Sequence, residues 1–178
     1  MSGAAPAPGP LGPVLAEVLA RAGDLAGRWE REDCGVVTAK EFRRYAAAVD
    51  DTGYLRAARA AEAAGRPVTA PPLFLTGILS WEDGPVEAEL RPDGLAARES
   101  PCTRGLPVRQ VHGGQSVRLG SPLVAGARVR ADRAVRSAEA KRGRSGDFVA
   151  LAVTTRFTGE DGTELASVDE TIIVMEQP

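Results

Sequence analysis

His112 is the only histidine in the chain, and it stands in the run His112-Gly113-Gly114-Gln115. An imidazole suits proton transfer near neutral pH, and two glycines beside it let a ligand or another backbone come close. The same run also fits a histidine that is hydrogen-bonded at the start of a strand, so both readings stay open. Tyr45 and Tyr54 could offer hydroxyls to a ligand or lie in the core with wet tips. Arg128, Arg130, Arg133, Arg136, Lys141, Arg142 and Arg144 crowd cations into one segment, diluted by Asp132 and Glu139. Such a patch can dock an anionic partner, or it can be a solvated strand face. Cys34 and Cys102 lie far apart and read as reduced thiols. With a lone histidine they make no zinc site. No Gly-x-x-x-x-Gly-Lys run is present to cradle phosphate.

These residues must be carried by one domain with a real core, given 178 residues of which 43% are hydrophobic and 26% charged. A formal charge of -2 gives no electrostatic support for nucleic acid binding. The Ala/Pro/Gly-rich stretch 1–12 reads as a disordered tail without the marks of a signal peptide, leaving 13–178 as the domain. No apolar run is long enough to span a bilayer; isolated thiols without an export signal lead us to expect a cytoplasmic location, a disulfide being the lesser alternative. Pro13 to Gly27 predicts a peripheral amphipathic helix, and Trp29 to Val37 a possible first strand. Thr38 and Glu41 form a capping box for a helix through Phe42, Tyr45, Ala46 and Val49. Asp50-Asp51-Thr52-Gly53 ends that helix, and Leu55 to Ala64 predicts another. Ala70 to Trp81 is apolar on nearly every side and predicts a buried helix with Pro71 and Pro72 in its first turn, around which the rest is organised. Glu82 to Leu106 has no period and reads as a surface excursion. From Val108 onward come long antiparallel strands: His112 to Leu119, Val129 to Ala140, Phe148 to Phe157 and Glu164 to Met175, with hairpin turns at 142–147 and 159–162. One helix swallowed by a curved antiparallel sheet is an α+β, single hot-dog fold.

Four pieces in this order, Thr38 to Val49, Ala70-Pro71-Pro72, His112-Gly113-Gly114-Gln115 and Lys141 to Gly146, resemble the N-terminal-type MaoC-like dehydratase domain over about Gly27 to Met175. The resemblance implies a hot-dog fold and a thioester substrate on coenzyme A or an acyl carrier protein, with water added or removed across the 2,3 bond and no cofactor. Catalytic members use an Asp and a His in the motif G-D-x-N-P-x-H, and backbone N–H groups at the start of the central helix receive charge from the thioester oxygen. Here Asp51 falls at the Asp position, but Gly53, Tyr54 and Arg56 replace Asn, Pro and His. A guanidinium stays protonated and cannot act as the base. Pro71 and Pro72 carry no N–H, so the expected first turn loses donors.

The resemblance therefore implies the substrate-holding half of a two-hot-dog unit, a heterodimer or homodimer, whose other half brings the acid/base pair. Asp51 and His112 remain the candidate catalytic residues. Tyr54, Pro72, Gly113, Gly114 and Gln115 are candidate substrate contacts, and Arg128, Arg130, Lys141, Arg142 and Arg144 candidate docking residues for the carrier or coenzyme A. A plain turn-forming role for Asp51 competes with catalysis. A non-catalytic acyl-binding scaffold, or a stand-alone thioesterase, isomerase or cyclase, are the alternative functions. Lys40 and Lys141 are the only lysines among abundant arginines, a composition in keeping with a GC-rich bacterial genome, where polyketide and fatty acid pathways are both possible settings.

Overall fold

The computed structural model describes residues 11–77, 86–90, 101–144 and 146–177. Its elements in order are α1 (Pro13–Leu25), β1 (Glu30–Val36), α2 (Ala39–Ala48), α3 (Thr52–Ala63), α4 (Phe74–Gly77), β2 (Val108–Leu119), β3 (Arg128–Gly143), β4 (Gly146–Gly159) and β5 (Glu164–Glu176). The strands form one antiparallel sheet in the order β1-β3-β4-β5-β2. Two 3-10 turns, Glu87–Glu89 and Pro101–Thr103, fall in the stretch expected to be irregular, most of which lies outside the described residues.

Period-two alternation decides which sheet face is buried. On β4 the residues Val149, Leu151, Val153 and Phe157 point one way, and their partners on β5 are Val174, Ile172, Glu170 and Ala166. Two apolar clusters cover this face at different ends. Phe42 of α2, Ala58 of α3, and Phe74 and Leu75 of α4 pack on Ala131, Phe157, Ala166 and Val168. Leu15, Val18 and Ala22 of α1 pack on Val135, Val149, Leu151, Ile172 and Val174. Helix α1 is thus not peripheral, contrary to the sequence reading. It is a second lid, because the long strands extend well past the area that α2, α3 and α4 can cover.

The connection between α2 and α3 is built from side chain and backbone together. Thr38 caps α2 by accepting from the Glu41 N–H, while the Glu41 carboxylate accepts from the Thr38 N–H at 2.6 Å. At the other end Asp50 adopts φ 56, its N–H donates to Ala47 O, and the Asp51 N–H donates to Ala46 O at 2.8 Å. This is a Schellman ending with aspartate in the place glycine usually takes.

The buried helix begins later than its sequence predicts. Thr69 bridges Val124, and the Ala70 N–H donates to Leu123 O at 2.8 Å, so the chain is still extended there. Pro71 and Pro72 lie in the turn before α4 rather than in its first turn, and Leu73 turns the chain with φ 64. Residues 78–81 of the expected helix lie outside the described residues. Phe74 meets Phe42 edge-on at 4.7 Å and Tyr45 at 5.7 Å. Gly77 lies against Tyr45, where an added Cβ would come within 2.4 Å of Cε2.

Two outcomes follow from this packing. Gly77→Ala forces the Tyr45 ring aside and should lose about 1–3 kcal/mol in urea unfolding. Gly23→Ala, inside α1 with open space at its Cβ, should gain up to about 1 kcal/mol. Burial pushes the Cys34 thiol up to about 12, with Glu32 and Asp33 adding to the effect. Because the folded value lies above the ordinary 9.0, this contribution to stability is intact below pH 9 and is lost as pH rises towards 12. The alkaline fall in stability should therefore be shallower in Cys34→Ala, measured by chemical denaturation across that range.

Candidate functional site

The sequence-predicted residues fall in three places. Asp51 and Tyr54 sit at the start of α3, beside the cluster that holds α2 and α4. The Asp51 carboxylate accepts from the Tyr54 N–H at 2.9 Å and caps the helix. Its backbone N–H already closes α2, so this residue is committed to structure through both side chain and main chain. Tyr54 is half-buried, its hydroxyl donates to Thr69 O at 2.6 Å, and burial raises its pKa. That bond ties α3 to the strand-like segment leading into α4. Pro72 is exposed beside it, and Arg56 is exposed on α3. An arginine facing water near a capping aspartate is no acid/base pair.

The second place is the edge strand β2. His112 pairs with Ile172 and Gln115 with Glu170, and the register shifts between His112 and Gly114. Gly113 is the extra residue of this bulge and stands outside the pairing. Its missing side chain leaves room for Ile173 and Thr171, and Gly114 adopts φ 129, which favours glycine. The His112 side chain is 64% exposed, and its Nδ1 lies 3.8 Å from Glu170 Oε2. Glu170 itself is only 13% exposed and accepts from an Arg133 guanidinium N–H at 2.8 Å.

Sequence reading missed Glu170, although a signal for it exists. In β5 the residues Ala166, Val168, Ile172 and Val174 face the core, and Glu170 holds the matching inward position. A charge in the buried register of an otherwise apolar strand needs a partner. Arg133 supplies it from β3, reaching across β4, a span of roughly 10 Å for two strand spacings.

The third place is not one place. Arg128 and Arg130 are near the start of β3, and Lys141, Arg142 and Arg144 near its far end. Eleven residues of extended chain from Arg130 to Lys141 separate the two groups by roughly 35 Å. Several of these cations are also occupied. Arg128 donates to Asp33 and holds that carboxyl below its ordinary value; Arg142 does the same to Asp147 at 2.8 Å; Lys141 lies 3.2 Å from Glu139. Arg130 adds its charge near Asp33, and Arg144 is exposed at the turn with no carboxylate partner among the described residues.

Cys34 and Cys102 are free thiols buried in different clusters. Among the described residues no group of His, Cys, Asp and Glu is placed to hold a metal ion, and no helix is long and apolar enough to cross a membrane.

Comparison with known proteins accords with this architecture. The family model described as FAS1-like, dehydratase domain region, matches residues 24–168. No curated protein sequence matches the chain. A structure of the ChsH1–ChsH2 complex from Mycobacterium tuberculosis is similar with a TM-score of 0.60 at 15% identity, over 91% of this chain and 96% of that one. The HadBC (3R-hydroxyacyl-ACP dehydratase) complex, also from Mycobacterium tuberculosis, gives 0.58 at 19% identity, over 84% and 97%. A MaoC-like dehydratase from Rhodospirillum rubrum gives 0.52 at 16% identity, over 88% and 97%. A five-stranded antiparallel sheet with helices packed on one face, together with a family model covering most of its length, places this chain in the FAS1-like dehydratase region family, with the hot-dog fold of the MaoC-like dehydratases.

Proposed function

We propose that this chain is the substrate-holding subunit of an acyl-thioester dehydratase or hydratase, acting between 3-hydroxyacyl and 2-enoyl thioesters. A second hot-dog subunit supplies the acid/base pair that the reaction requires. The observation that carries this reading is the commitment of Asp51. Its carboxylate caps α3, its N–H closes α2, and the residue at the expected histidine position is the exposed Arg56. One Asp51 carboxylate oxygen is engaged at the α3 N-terminus, and the residue lacks the histidine that the family motif sets beside its aspartate.

Membership of a dehydratase family supports the reaction class, and similarity to two structures that are complexes of paired proteins supports a partner. The edge strand β2 is exposed through 111–116, with outward backbone groups suited to another strand. Tyr54, Pro72, Gly113, Gly114 and Gln115 line the two candidate contact regions for the acyl thioester. An anionic carrier or coenzyme A phosphate would dock most readily at Arg130 or Arg144, since Arg128, Lys141 and Arg142 are already engaged with carboxylates. Two free buried thiols suit a reducing cytoplasm, and fatty acid or polyketide metabolism suits the chemistry.

The deciding assay follows dehydration of a 3-hydroxyacyl carrier-protein substrate by this chain, by a hot-dog partner with an intact Asp/His motif, and by both. This chain alone should show no turnover, and the mixture should exceed the partner alone by at least tenfold. Full activity of the partner alone would reduce this chain to a scaffold, and full activity of this chain alone would remove the need for a partner. Asp51→Ala should cost about 1 kcal/mol of stability through the lost cap and leave the activity of the folded mixture unchanged. Asp51→Ser, which keeps a capping oxygen, should recover most of that loss.

A further inference from the structure

The strip formed by His112, Glu170 and Arg133 is not explained by packing. It crosses the buried sheet face between two apolar clusters and ends at an open edge. Glu170 is mostly withdrawn from water and Arg133 partly so, an arrangement that hydrophobic residues of similar size would make at least as stable. The strip nevertheless has a chemical direction. Arg133 fixes one oxygen of Glu170 at 2.8 Å, and the other oxygen faces His112 Nδ1 at 3.8 Å. A carboxylate on the Nδ1 side selects the tautomer whose Nε2 carries the lone pair, and the exposed ring leaves Nε2 open to solvent or ligand. At 3.8 Å the two groups are at ion-pair distance and not hydrogen-bonded. Next to His112, Gly113 is the extra residue of the bulge in the β2–β5 pairing.

We propose that His112 is a catalytic residue of this chain, a one-base proton-transfer group for acyl thioesters, and that Glu170, anchored by Arg133, is its positioning residue. The substrate class rests on the function proposed above; the site does not. Nε2 of the neutral imidazole takes the C2 proton of the thioester, and the C–H electron pair moves into the carbonyl to give an enolate. The imidazolium then returns a proton to C2 and restores the carbonyl. Nothing is oxidised or lost, and in D2O the net change is C2–D for C2–H. Elimination needs in addition an acid for the departing hydroxyl, and this strip offers none. The chain alone therefore performs the proton exchange but not the dehydration.

The test follows deuterium uptake at C2 of butanoyl-coenzyme A, which has no hydroxyl to lose, in D2O with the full chain. Uptake at least tenfold above buffer is expected. His112→Ala, at an exposed position, should fold normally and reduce uptake to the buffer rate, and added imidazole should restore it in part. Glu170→Gln should lower kcat about tenfold with little change in KM, and Glu170→Asp should recover part of that loss if Gln disturbs the fold. No uptake by the folded chain, uptake unaffected by His112→Ala, or Glu170 variants that change only KM would overturn the proposal. Exchange that persists while the mixture with a partner fails to dehydrate would overturn the function proposed above and leave this site standing.

Discussion

The pairing of Arg133 with Glu170 sets the terms for the rest of the molecule. A five-stranded sheet with one buried face could be covered by a single continuous apolar layer. Here a charged pair lies across the middle of that face, from β3 over β4 to β5. Apolar side chains gather on either side of it, and two separate lids result: α1 over the Val149 and Val174 end, and α2, α3 and α4 over the Phe157 and Ala166 end. The pair also ties β3 to β5 across β4.

The α2–α3 junction gives one aspartate two structural tasks. By resemblance to the family motif, Asp51 falls at the position of its aspartate. In this chain the α2–α3 junction is so tight that its main chain ends one helix while its carboxylate starts the next. Gly53 already lies in the first turn of α3, and Arg56 emerges on the exposed side. The chain's one histidine lies instead at the edge of the sheet, 3.8 Å from the Glu170 carboxylate.

Much of the fold was legible in the residues because its signals are local. The capping box of Thr38 and Glu41 marks the start of α2, and alternating valines, alanines and isoleucines mark β4 and β5. The delay of the buried helix to Phe74 was not legible, because Thr69 and Ala70 are held extended by the distant Leu123 and Val124. Nor was the role of α1: periodicity shows that a helix buries a face but not which surface receives it. The basic cluster misled for a geometric reason, since neighbours in sequence on a long strand are far apart in space. Glu170 could have been found by counting inward positions along β5, but its partner could not, because the link to Arg133 depends on strand order.

The central claim is that charges on the buried sheet face hold each other and partition the core. It is tested most directly by a double-mutant cycle on unfolding free energy with Arg133→Met and Glu170→Gln. Each single change should remove the 2.8 Å bond between the two groups, and the double change should cost less than the sum of the singles, giving a coupling of about 2 kcal/mol. Additive effects, with coupling below about 0.5 kcal/mol, would contradict the account.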